Sequence, residues 1–238
     1  MSTDEKRFNE LYNRAYSKGF TAYTEFLNMQ EQSDLAKTCL PCKTYGGYEG
    51  AERVVAAFGD RAEKENFPIA CVKVSPVSSK FADALTHRDY LGALMNLGIR
   101  RELLGDIVIQ DNCGWLFCLE HISQYIADNL SRVKHTTVTA QITAELPASV
   151  CVQAQVREII AASLRLDALV GAVYRLSRKE AAQLILHGKV FINSRQAEGC
   201  SKAVKPNDTV TVRGKGRFQL VQQLRSTKSD RLVLEIKM

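Results

Sequence analysis

LRLDALVGAVYRLSRKEAAQLILHGKVFIN, residues 164–193, and VKPNDTVTVRGKGRF, residues 204–218, decide how this chain is read. Leu166, Leu169, Val170 and Val173 keep the i, i+3, i+4, i+7 spacing of a one-sided helix. A second helix is expected from Ser177, because Ser177 and Glu180 have the S-x-x-E spacing of a capping box. Ala181, Leu184 and Ile185 give it an apolar face, and Lys179, Gln183 and His187 a polar one. Gly188 supplies a left-handed stop. Val190–Ile192 then reads as a short strand and Asn193-Ser194 as a turn. Pro206 and Asn207 set a second turn, and Val210 and Val212 alternate with Thr209, Thr211 and Arg213 as in a half-buried strand.

The pentapeptide Arg213-Gly214-Lys215-Gly216-Arg217 admits two readings. Extended, its three cations share one face and its glycines leave backbone that a phosphate chain can approach. Alternatively it is a solvated basic edge that discourages aggregation. Charge separates the two. Residues 164–238 hold 15 Lys and Arg against 6 Asp and Glu, a net of +9 in a chain of +6, which leaves residues 1–163 at −3. Such asymmetry points to a polyanion, most commonly nucleic acid. An anionic membrane would call for a basic amphipathic helix with an aromatic apolar face, and none is legible.

The pattern R-L-D, S-R-x-x-A-x-x-L-I, G-x-V-x-x-N and V-R-G-x-G-R resembles the RNA-binding domain named after small-subunit ribosomal protein S-four. That resemblance implies two helices and adjoining strands forming a basic face for structured RNA. By position it nominates Arg165, Ser177, Arg178, Lys179, His187, Lys189, Asn193, Arg213, Lys215 and Arg217 as RNA contacts, with Asp167 orienting Arg165 or capping its helix. Asn207 stands where that family usually has Gly; Asn tolerates the left-handed region, so the turn is expected to survive.

No apolar run among the 238 residues reaches bilayer length, and MSTDEKRFNELYNR lacks an apolar signal core, so the expected compartment is the cytoplasm. Seven scattered cysteines fit reduced thiols. Cys39-Leu40-Pro41-Cys42 has no second pair to close a zinc site and no preceding strand for a redox motif, so neither a metal nor a cofactor is expected.

Residues 5–37 read as helical, with Phe8, Leu11, Tyr12 and Ala15 on one face and Gly19 as a stop. Gly46-Gly47-Tyr48-Glu49-Gly50-Ala51-Glu52-Arg53 reads as a turn into a helix containing Val54, Val55 and Phe58. It lacks the Lys-Ser/Thr ending of a phosphate loop, although Arg53 remains available to RNA on this reading. Residues 69–142 give β-α-β-β-α-β, the split βαβ order shared by many RNA binders. Thr86 and Asp89 form a capping pair within it. Trp115 and Phe117 point the same way on one strand, as core residues or as a platform for bases. His87-Arg88-Asp89 lacks the further motifs of a kinase catalytic loop. Val156–Ala162 reads as a strand leading into the basic module.

The expected architecture is therefore α+β: a helical region over 1–66, a βαββαβ (RRM/ferredoxin-like) domain over 67–145, a connector over 146–163 and an S-four-like α/β domain over 164–238. Phe26-Leu27, Glu31-Gln32, Gly46-Gly47 with Gly50-Ala51-Glu52-Arg53, Leu85 to Leu94, Gly98 to Glu102 and Gly105-Asp106-Ile107 together resemble the bacterial YlmH family. Met29 departs from the Pro frequent there. That resemblance implies an RNA-binding protein, often encoded beside cell-division genes, whose partners are rRNA, tRNA and the large ribosomal subunit during rescue of stalled translation, with no membrane and no small-molecule substrate. Two other functions compete. An RNA-modifying enzyme of pseudouridine-synthase type would use Arg165-Leu166-Asp167 catalytically, but no cofactor loop, paired acids or nucleophile with a base accompanies it. A cell-division adaptor would use the acidic N-terminal part as a protein-binding surface.

Overall fold

The computed structural model describes residues 3–59, 66–78, 83–148, 155–227 and 230–238. Two units make up the chain: Met1–Asn28 with Thr38–Val152, and Met29–Lys37 with Gln153–Met238.

In the first unit, α1 (Thr3–Lys18) buries Phe8 and Ala15 and sets Tyr12 edge-on to Phe58, with ring centres 6.4 Å apart. The helical reading of residues 5–37 is interrupted by β1 (Ala22–Tyr23) before α2 (Met29–Thr38) begins. The helix expected around Val54, Val55 and Phe58 is instead a strand. β2 (Lys43–Tyr45) and β3 (Val55–Phe58) join β1 in an antiparallel sheet of order β1-β3-β2. All four β3 residues are buried. A short, wholly apolar run carries no period to tell strand from helix, so its two pairing partners decide.

The βαββαβ order is present, with one additional two-residue strand, Arg132–Val133, before the last. β4 (Ile69–Pro76), α3 (His87–Asn96), β5 (Leu104–Gln110), β6 (Cys113–Leu119), α4 (Glu120–Asn129), β7 (Arg132–Val133) and β8 (Thr136–Thr143) follow in order, and the antiparallel sheet runs β5-β6-β4-β8-β7. Thr86 and Asp89 form the expected capping box on α3. One sheet face packs Val72, Val74, Leu116 and Cys118 against Tyr90 and Leu94 of α3 and Ile126 of α4. The opposite face is covered as well. Trp115 is 6% exposed and Phe117 1%; the Tyr48 ring centre lies 4.9 Å from that of Phe117, and Phe26 shares a core with Leu119. The two aromatics are core, and no base can stack on them.

The glycine-rich segment makes that cover. Gly47, at φ +98°, lies against the Phe117 ring where a Cβ would collide. The Asp106 carboxylate accepts from Tyr48 Oη (2.7 Å) and from the backbone N–H groups of Glu52 (2.6 Å) and Arg53 (3.0 Å). Arg53 donates to the carbonyls of Leu104 (2.9 Å) and Phe26 (2.8 Å). It therefore acts as an internal tie, which corrects the expectation that it is available to RNA.

In the second unit, β9 (Val156–Ala161), α5 (Leu166–Tyr174), α6 (Arg178–Leu186), β10 (Val190–Ile192), β11 (Arg195–Gln196), β12 (Thr209–Val212), β13 (Gly216–Ser226) and β14 (Leu232–Lys237) build a sheet of order β11-β10-β12-β13-β14-β9. Leu166, Leu169 and Val170 of α5 and Ala181 and Ile185 of α6 bury one sheet face through Val190, Val210, Val212, Phe218, Leu234 and Ile236. β9 falls within the expected connector yet is an integral edge strand, paired along its length with β14. Connector residues 149–154 lie outside the described ones. A segment distant in sequence completes the unit. Ser33 and Leu35 of α2 are buried, Ser33 Oγ accepts from the Gln196 N–H (2.9 Å), and Arg195 donates to the Ala36 carbonyl (2.8 Å). No helix among the described residues is long and apolar enough to cross a membrane.

Candidate nucleic-acid interface

The centre of the candidate surface is a buried acid. Asp167, in the first turn of α5, is 3% exposed. Its carboxylate accepts from Arg165 Nε and Nη2 (3.0 Å each), from Arg178 Nε (3.1 Å) and from the Ala168 N–H (3.0 Å). Hydrogen bonds from Arg165, and then from Arg178, hold this carboxyl below the usual carboxylate range although desolvation opposes them. The guanidinium groups themselves reach water: the Arg165 side chain is 41% exposed and that of Arg178 74%. One acid thus fixes two arginines beside the starts of two helices. The orienting role expected for Asp167 is observed and extends to Arg178. A synthase-like nucleophile must face its substrate, whereas Asp167 is enclosed with both oxygens occupied.

Ser177 caps α6 as expected. Its Oγ accepts from the Glu180 N–H (3.2 Å), and Glu180 Oε2 accepts from Ser177 N–H (2.8 Å) and Oγ (2.7 Å). These bonds hold the Glu180 carboxyl below its usual range, and Lys215 adds a smaller pull. Lys215 is thus within electrostatic reach of Glu180, in the first turn of α6, where Arg178 and Lys179 are also exposed.

The basic pentapeptide is not extended. Residues 213–215 form a turn between β12 and β13, with Gly214 at φ +80° and Gly216 at φ +104°. The Arg213 N–H donates to the Lys189 carbonyl (2.8 Å) and the Lys215 N–H to that of Val212 (2.9 Å). The first of these bonds holds the turn to Lys189, just beyond the end of α6. Arg217 departs from this side. It pairs with Thr211, between the pairs Val210–Phe218 and Val212–Gly216, of which Val210, Val212 and Phe218 enter the helix-facing core. By the alternation of a strand, Arg217 leaves on the opposite sheet face. The expectation of three cations on one face is corrected: two glycines at positive φ turn the chain instead of extending it.

His187 closes α6 and is exposed, as is Lys189. Asn193 has a different role. Its Nδ2 donates to Asp208 Oδ1 (2.7 Å) and its Oδ1 accepts from the Thr209 N–H (2.9 Å), so its amide fastens the two turns together. Asn207 adopts φ +70°, as expected of its turn. Lys202 was not legible as part of the site. The carbonyls of Lys202 and Cys200 accept from the N–H groups of Leu166 (2.9 Å) and Asp167 (3.1 Å), and Arg165 bridges to Ala203. This places an additional exposed lysine beside Arg165, through a pairing that leaves no periodic trace. Among the described residues no group of three His, Cys, Asp or Glu is placed to hold a metal.

Residues 62–146 match the family model described as "Putative RNA-binding domain in YlmH", and residues 164–210 match that of the S4 domain, the one named after ribosomal protein S-four. A Bacillus subtilis (strain 168) protein named "Ribosome-associated protein quality control protein P2" is 29% identical over 219 residues, spanning 87% of this chain and 83% of that protein. The solved structure of "Cell division protein ylmH from Streptococcus pneumoniae" is similar over 60% of this chain and 93% of that one, at a TM-score of 0.48 and 23% identity. The two domain models match in the order that the sequence motifs give, so the chain carries a segment similar to the YlmH RNA-binding domain followed by an S4 domain.

Proposed function

We propose that this protein is a cytoplasmic, non-catalytic factor that grips structured rRNA and tRNA at the large ribosomal subunit during quality control of stalled translation. The observation that carries this reading is the pair of solvent-reaching arginines fixed by one buried aspartate, within an S4 domain that also exposes Lys202 and Lys215. The name of the Bacillus subtilis relative supports the ribosomal setting. Lys and Arg side chains neutralise phosphates and release counterions. Folded RNA is gripped largely through shape and backbone.

The test is co-sedimentation with ribosomes of the protein carrying Arg165→Ala, Arg178→Ala and Lys215→Ala together. Loss of the ribosome-bound fraction at moderate salt, with an unchanged circular dichroism spectrum, is expected. A triple variant that still travels with the large subunit overturns the proposal.

A further inference from the structure

The family description assigns RNA binding to residues 62–146 without saying which surface performs it. The sheet face bearing Trp115 and Phe117 is closed by Tyr48 and Phe26. If this unit grips RNA, the grip lies elsewhere.

A groove of about 510 Å³ opens between α3 and the segment joining α4 to β8. Arg88, Gly92 and Asn96 recur every four residues along its α3 wall, and Asn129, Ser131, Arg132 and Lys134 form the other. Arg88, Arg132 and Lys134 are exposed, and none forms an ion pair among the described residues. The other arginines near this sheet are committed elsewhere: Arg53 and Arg101 donate to backbone carbonyls and Arg100 pairs with Glu25 at 2.7 Å. The groove also contains one acid, Asp89, which Thr86 engages as the helix cap, and Lys134 lowers its pKa slightly further.

Gly92 supplies an independent observation. It lies inside α3 with an ordinary helical backbone, and a Cβ there would meet nothing within 4 Å. Glycine is the least favourable non-proline residue in a helix interior, and nothing in this unit requires it at that position. A bare patch of helix flanked by three cations suits an occupant that must come close to the backbone.

We infer that the groove between α3 and the α4–β8 segment is a second RNA-binding site, which takes a ribose-phosphate strand across Gly92 with Arg88, Arg132 and Lys134 on its phosphates. This rests on the RNA-binding reading above and places a separate grip outside the S4 domain. The occupant is RNA rather than protein because the walls expose more polar than apolar surface, with three cations, amides and a hydroxyl against one acid already engaged as a helix cap.

The test uses the full chain and a fluorescently labelled single-stranded RNA, read by anisotropy over a salt series. Silencing the S4 cluster with Arg165→Ala, Arg178→Ala and Lys215→Ala should leave residual binding. Adding Arg88→Ala, Arg132→Ala and Lys134→Ala should weaken that residue about tenfold and flatten the log–log salt dependence by about two units. Gly92→Gln, which fills the bare patch, should weaken binding similarly while raising the thermal midpoint. Residual binding that ignores both sets, or its absence after silencing the S4 cluster alone, overturns the inference. Unchanged binding of RNA together with lost ribosome association would assign the groove to a protein and also overturn it. Binding that S4 silencing leaves undiminished but that fails on the groove substitutions upholds the groove and counts against the S4-centred reading.

Discussion

Asp167 shows how one residue serves both fold and surface. Its oxygens tie the starts of α5 and α6 through Arg165 and Arg178, and the same bonds aim those guanidinium groups at solvent. Its folded pKa lies below the unfolded value of about 3.9. The contribution to stability is therefore complete at neutral pH, and it disappears as pH falls through that value toward the lower folded one. Asp167→Asn should cost about 1.5–3 kcal/mol at pH 7, the range for hydrogen bonds to a charged group, and the difference from the parent should shrink toward pH 3. Urea unfolding of both proteins across that pH range checks it. A constant difference down to pH 3 would mean that the carboxylate charge is not what holds the two arginines.

Among the elements, the glycine-rich segment 46–53 had the least legible role. Its partner Asp106 lies more than fifty residues away, on β5. Asp106→Ala removes the acceptor for Tyr48 Oη and for two backbone N–H groups and should cost about 1–3 kcal/mol. Hydrogen exchange at the Glu52 and Arg53 amides should quicken more than at the β4–β6 ladder; equal protection in the variant would show that another contact holds the segment. The elements that could be read correctly were those governed by neighbouring residues: α5 by its apolar spacing, α6 by Ser177 and Glu180, the β4 to β8 order by alternation and turn residues. β3 was misread because Val-Ala-Ala-Phe has no polar position to set a period. The turn at 213–215 was misread because strand alternation upstream was carried through two glycines that adopt positive φ. Within the site, Arg165, Arg178 and Lys215 were legible. Lys202 was not, because backbone pairing across more than thirty residues brings it there. Asn193 was legible as a polar turn residue, but its engagement with Asp208 and Thr209 depends on β12 being in place.

At the scale of the whole chain, positive charge and folding unit do not coincide in sequence. The +9 of residues 164–238 lies within the second unit, yet that unit also takes in Met29–Lys37 from the N-terminal part. α2 buries Ser33 and Leu35 there and bonds to both residues of β11, the two-residue edge of the sheet. An edge so short has little ladder of its own to hold it. A fragment spanning Gln153–Met238 retains the Arg165–Asp167–Arg178 cluster and the 213–215 turn but loses α2. Its unfolding free energy should fall by about 2–4 kcal/mol relative to the same unit in the full chain, from one buried leucine and two hydrogen bonds. Adding a peptide of residues 29–38 in excess should recover part of that loss by mass action. On the proposed function, RNA binding by the fragment should keep the salt dependence supplied by the S4 cluster and lose only the roughly two units assigned to the groove, which lies outside it. Urea unfolding with and without the peptide, beside an anisotropy salt series, separates the two effects. A fragment as stable as the intact unit would show that α2 rests on the sheet without supporting it.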